Sequence, residues 1–119
     1  MPFDITPTPV TRALPVLTNA ERSALVALRD DLQSGVISPD TFDMTYLQGS
    51  RCCIHGHLRM RAQAFIAVND PRFASLFNIG RPQDICEAAY FATPAQAVTA
   101  IDNFLTLGEP AWDQVMSTP

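Results

Sequence analysis

A chain of 119 residues, 47% apolar and only 17% charged, can bury a real hydrophobic core as one domain, which excludes an intrinsically disordered chain. No apolar run approaches the roughly 20 residues of a membrane-spanning helix, and no basic segment leads into an apolar one at the N-terminus, so a cytoplasmic protein without a secretory signal is expected. The net charge of -4 weighs against non-specific nucleic-acid binding, which draws on a basic surface.

Residues 1–17 carry Pro2, Pro7, Pro9 and Pro15. Proline lacks the amide proton and fixes φ, so an extended arm is expected here, with Phe3, Ile5, Val10, Leu14 and Leu17 available to lie over the body. Thr18 and Glu21 form a capping box that opens the first helix. Leu25, Leu28 and Leu32 share one stripe of it, and Gly35 closes it in the left-handed conformation. Ser38-Pro39 repeats the start signal, so a short helix through Phe42 and Met44 to about Leu47 is expected, broken by Gly49-Ser50. The longest proline-free stretch follows, from Arg51 to Val68. Ile54, Leu58, Ala62 and Phe65 share a face at about 100° per residue, and much of the remaining circumference is apolar, as befits a central helix. Asp70-Pro71 starts a short helix through Phe73, Leu76 and Phe77 to about Gly80. Pro82 opens another, Asp84 to Phe91. Thr93-Pro94-Ala95-Gln96 is a third strong start, with Ala97, Val98, Ile101, Phe104 and Leu105 on one face and Gly108 at the end. Pro110, Trp112 and Met116 predict a last turn that returns Trp112 to the body. No strand pattern and no internal repeat emerges. The fold class is therefore all-α: a single helical domain over 18–119, five to six helices around a central helix near 51–68, preceded by the arm at 1–17.

The segment from Arg51 to Arg81 concentrates charge and chemistry. It holds five arginines against one acid, Asp70 (+4), so the remainder of the chain carries -8. All basic residues are arginine, whose planar fork grips carboxylate or phosphate in a way lysine cannot. Arg59 lies one helical turn after His55, and Arg61 one turn after His57. With Arg51, Arg72 and Arg81 these residues make a candidate anion-binding patch. The competing reading pairs the arginines with the protein's own acids, notably Asp43 and Asp84.

Cys52, Cys53, His55 and His57 supply the ligand types zinc prefers. On a helix, however, the two histidines point about 200° apart, so one ion reaches only two of the four, and Cys86 or an acid from elsewhere would have to join a pair such as Cys53 and His57 to complete a site. A thiol near a helix N-terminus beside a histidine also meets part of the description of a nucleophile, while free cysteine is more often a small core residue. The three cysteines are too few and too oddly spaced for a disulfide framework, so reduced thiols are expected. No cofactor fingerprint, Gly-rich phosphate loop or paired catalytic carboxylates occur.

Phe42-Asp43-Met44, followed by Gly49-Ser50-x-x-Cys53-Ile54-x-Gly56-His57, resembles a group of small uncharacterised proteins of bacteria, phages and plasmids. In these a Phe-Asp-Met segment precedes a Cys-Gly-Thr-x-x-Cys-Ile-Ala-Gly-Trp/His motif. Thr93-Pro94-Ala95-Gln96-Ala97, Gly108 and Trp112 look like the same group's later helix and tryptophan. Gln48 stands where that motif has its first cysteine, so a role shared by two cysteines is compromised in this chain. The resemblance spans roughly residues 40 to 113 and implies a mobile-element context, with a structural role for Cys53, Ile54 and Gly56 at a tight helix entry.

These observations favour a small non-enzymatic module that binds another protein, the mobile-element context pointing to a host-directed modulator or an inhibitor of a defence protein. Two other classes stay open. One is a zinc- or thiol-dependent enzyme centred on Cys52, Cys53, His55 and His57, and the other is nucleic-acid binding through the Arg51–Arg81 segment.

Overall fold

Two capping boxes define the longest helices. In the computed structural model, which describes residues 16–44, 53–81, 83 and 85–117, Thr18 Oγ1 accepts from the Glu21 amide while Glu21 Oε1 accepts from the Thr18 amide, at 3.0 and 2.9 Å. Thr93 and Gln96 repeat the exchange at 3.2 and 2.9 Å. These boxes open α1 (Asn19–Ser34) and α4 (Pro94–Leu107), and each helix ends on a left-handed glycine, Gly35 (φ 89°) and Gly108 (φ 85°). Between them lie α2 (Ile54–Ala62), α3 (Ala74–Phe77) and a 3₁₀ turn (Glu87–Phe91); α5 (Trp112–Ser117) follows. Among the described residues the protein is an all-α bundle of five helices with no strand.

The scaffold is the α1–α4 pair, against which α2 also packs through α1. An ion pair from Arg29 to Asp102 crosses it (3.3 Å), and the C-terminal end of α1 shares a recess with the N-terminal end of α4, so the two run antiparallel. Their apolar stripes bury Leu25, Leu28, Leu32, Ala97, Ala100, Ile101 and Phe104. Phe73 stacks on both Phe77 and Phe104, with centroids 5.5 and 5.9 Å apart, so an aromatic column joins the α3 region to α4. Trp112 folds back as expected and its indole Nε1 donates to the carbonyls of Ser75 and Leu76, at 3.1 and 3.3 Å.

Four expected helices differ. The stretch around 51–68 is helical only from Ile54 to Ala62, because Gln63 takes a left-handed conformation (φ 53°) and its amide returns to the Arg59 carbonyl. Phe65, expected on the buried face, is therefore 77% exposed. The helix near Ser38 is a turn: the Ser38 and Thr41 hydroxyls bond to backbone amides two and three residues away, closing a local loop that competes with helix growth. Residues 45–52 lie outside the described residues, as do Pro82 and Asp84, and the 3₁₀ turn begins only at Glu87. The helix after Pro71 is shortened to Ala74–Phe77 by a left-handed Asn78 (φ 62°), not by Gly80. Asn78 is buried, and its side-chain amide brackets the Cys86 backbone, donating to the carbonyl (2.9 Å) and accepting from the amide (3.0 Å). The arm at 1–17 lies outside the described residues except for Val16 and Leu17.

Leu28 is fully buried at the α1 side of this scaffold. Leu28→Ala is expected to lower unfolding stability by about 3 kcal/mol and Thr93→Ala by about 1 kcal/mol, both measured by denaturant titration of Trp112 fluorescence.

Candidate functional site

The N-terminal half of α2 is the most chemically loaded buried segment. Ile54, His55, Gly56, His57 and Leu58 are all buried, and the N-cap residue Cys53 is 3% exposed and makes no side-chain capping bond. The histidines diverge to opposite sides of the helix. His55 Nε2 lies 2.6 Å from the Ile66 carbonyl, with its ring edge-on to Phe77 at 4.9 Å. His57 Nε2 lies 2.9 Å from the Thr41 carbonyl, and its ring stacks on Phe42. A carbonyl only accepts, so each Nε2 carries the proton; both Nδ1 atoms are buried without a hydrogen-bond partner. Burial lowers the His57 pKa below its ordinary value; the Thr41 contact opposes this, Arg61 adds to it and Asp31 opposes it.

The metal set that the sequence allowed, Cys53 with His57 and Cys86, does not converge. Among the described residues no group of three or more His, Cys, Asp or Glu side chains is placed to hold an ion, and the Nε2 atoms of both histidines already serve backbone carbonyls. Cys53 is a buried core thiol and Cys86 is half-buried at the start of the 3₁₀ turn. Cys52 lies outside the described residues.

The six residues of the expected anion patch divide in the same way. Arg51 lies outside the described residues and His55 is buried. Arg61 donates through Nε and Nη2 to Asp31 on α1, at 3.0 and 2.7 Å, and through Nη1 to the His57 carbonyl. Arg72 is a hub. It donates to both carboxylate oxygens of Glu21 at 2.7 and 2.9 Å, to both of Asp70 at 3.2 and 2.9 Å, and to the Val16 carbonyl at 3.1 Å. Its bonds hold the Glu21 and Asp70 carboxyls below their usual range, and Asp70 first, then Glu21, raise the guanidinium's own value. Internal pairing thus takes Arg61 and Arg72, with Asp31, Glu21 and Asp70 as their partners; Asp84 lies outside the described residues. Arg81 is exposed and also engaged in an interaction.

Arg59 differs from these. It sits on the exposed end of α2 with its guanidinium 5.1 Å from the Phe65 ring centroid. Met60 beside it is 57% exposed and Phe65 77%. The periodicity placed Phe65 in the core, and no sequence signal marked Gln63 as the residue that would turn it out. No family model, no curated protein and no solved structure matches this chain.

Stability should follow pH in two stages. His57 has a folded pKa below its unfolded value of about 6.5, so its contribution is complete above that pH and declines as pH falls through the folded value. Glu21 and Asp70 are also depressed, so their contribution is complete above the carboxylate range and is lost in stronger acid. His57→Gln should flatten the upper stage and Arg72→Met the lower, as read from melting temperature against pH.

Proposed function

We propose that this protein is a small non-enzymatic module that binds another protein through the patch formed by Arg59, Met60 and Phe65. The observation that carries this reading is Phe65, a large aromatic ring held out of the core with a guanidinium over its face. Aromatic, methionine and arginine side chains are the types enriched where protein interfaces concentrate their binding energy. The ring and cation together offer a flat apolar surface edged with positive charge, suited to a partner surface that is apolar with an acidic rim. The mobile-element context implied by the Phe42–His57 motif makes a host or defence protein the expected partner, and the modulation or inhibition of that protein the expected consequence.

The geometry gives the other classes less support. A metal-dependent reaction needs Cys53, His57 and Cys86 to converge, and no such group stands among the described residues; His55 and His57, the bases a thiol would use, each hold a backbone carbonyl through Nε2. Nucleic-acid binding through the arginine segment needs its cations outward, and Arg61 and Arg72 are turned to acids of the chain.

Affinity capture from a bacterial lysate, read by mass spectrometry, should retain one specific protein. Phe65→Ala with Arg59→Glu should reduce its retention at least tenfold, while the melting temperature stays within about 2 °C, since both positions are exposed. Unchanged retention by the double variant would remove the patch from the interface.

A further inference from the structure

A second surface, separate from the Phe65 patch, lies where the C-terminal end of α1 meets the N-terminal end of α4. A recess of about 610 Å³ there is lined by Leu32, Ile37 and Val98. A neighbouring recess of about 310 Å³ is lined by Tyr90 and Phe91, and the two meet at Pro39 and Pro94. Two large apolar side chains stand out from this face. Phe91 is 81% exposed, and Val36, between two residues that line the larger recess, is 71% exposed. The turn beside Val36 is open as well, since a Cβ added to Gly35 would meet nothing within 4 Å.

Projection and hollow share one face and one centre. Phe91 precedes Pro94 by three residues of chain, at most about 10 Å, and Val98 follows it by four along α4, about 6 Å. The exposed ring thus lies to one side of Pro94 and the larger recess to the other, at comparable distances. An isologous contact has this layout: a twofold axis sets residue i of one copy against residue j of the next, and the reverse. An axis passing between the Pro39–Pro94 pairs of two copies carries each Phe91 into the other's recess. A phenylalanine ring buries about 150–250 Å², and here the contact is made twice.

Charge selects the occupant. The chain carries -4 overall, so two copies repel unless they meet on a face poor in acids. Among the described residues lining the two recesses, the one charged side chain is Asp43, which is engaged in an interaction. Gln33, Ser34 and Thr93, all exposed, supply an uncharged polar margin. A partner of opposite charge would find no ring of charges here to steer it, whereas Arg59 gives the Phe65 patch a sign. An apolar centre depleted of charge, inside a polar rim, is the anatomy of a contact between copies.

We propose that this face binds a second copy of the chain in a twofold dimer, with Phe91 of each copy seated in the other's recess against Leu32, Ile37 and Val98 and with Val36 packed at the margin. Among the described residues, neither α2 nor the loop that carries Phe65 contributes to either recess, so the Phe65 patch stays outside the contact.

Analytical ultracentrifugation of the full chain tests this. The mass should rise with concentration from 13.0 kDa towards twice that value. Phe91→Asp and Val36→Glu should each weaken the association at least tenfold at unchanged helical circular dichroism, since both side chains are exposed in the single chain. Phe65→Asp should leave the association unchanged. With p-benzoylphenylalanine in place of Phe91, irradiation of mixed ¹⁵N-labelled and unlabelled chains should give adducts of dimer mass. After trypsin these should join residues 73–119 of one chain to residues 30–51 of the other. Three results would overturn the proposal: a chain that stays at 13.0 kDa up to about 0.5 mM; a dimer that survives both Phe91→Asp and Val36→Glu; or adducts confined to one chain, which would place a segment of the same molecule in the groove.

Discussion

The N-terminal half of α2 holds two buried imidazoles, and the chain on both flanks is arranged to meet them. Burying a polar ring without a hydrogen bond costs on the order of 1–3 kcal/mol. Each ring recovers part of that by donating to a backbone carbonyl, His55 to Ile66 and His57 to Thr41. Those carbonyls belong to irregular segments, where no helix ladder would have satisfied them. One short helix thereby fixes the turn before it and the loop after it. Burial favours the neutral ring of His57, whose Nδ1 has no hydrogen-bond partner.

Charge in this protein is mostly spent inward. Arg61 ties α2 to α1 through Asp31, and Arg72 ties the entry of α1 to the Asp70 turn through Glu21. Glu21 serves twice, accepting the Thr18 amide in the capping box and the Arg72 guanidinium on both oxygens. A carboxylate at a helix start is also favoured by the helix dipole. Two of the five arginines that cluster in the sequence, Arg61 and Arg72, are thus struts between elements. Partly exposed pairs of this kind contribute modestly to stability one by one, but here they also set where α1 begins and where the Asp70 turn sits.

Where each element was legible depended on whether its signal was local. The capping boxes at Thr18 and Thr93 and the glycines at 35 and 108 act within a few residues of themselves, and α1 and α4 lie where they predict. Trp112 was placed on the body by its size and position, and its indole bonds are the detail the sequence withheld. The central helix was overextended because its periodicity continues past Ala62 with no glycine or proline to stop it. What stops it is Gln63, adopting a conformation usual for glycine or asparagine, alongside a tertiary bond from His55 to Ile66. The divergence of the two histidines followed from helical spacing alone. The α1 partners of Arg61 and Arg72, Asp31 and Glu21, are 30 and 51 residues away, and no local pattern reaches that far.

The same overrun has a consequence for recognition. Because the helix ends at Gln63 and the chain is held again at Ile66, Phe65 sits on a short span fixed at both ends. Arg59 restrains the ring further from the helix side. In the proposed contact, a side chain held in place beforehand would lose less conformational entropy on being covered, about 0.5–1.5 kcal/mol for each side chain otherwise immobilised. The left-handed Gln63 that ends the helix and the His55 bond that holds Ile66 together place Phe65 on the outside of the core.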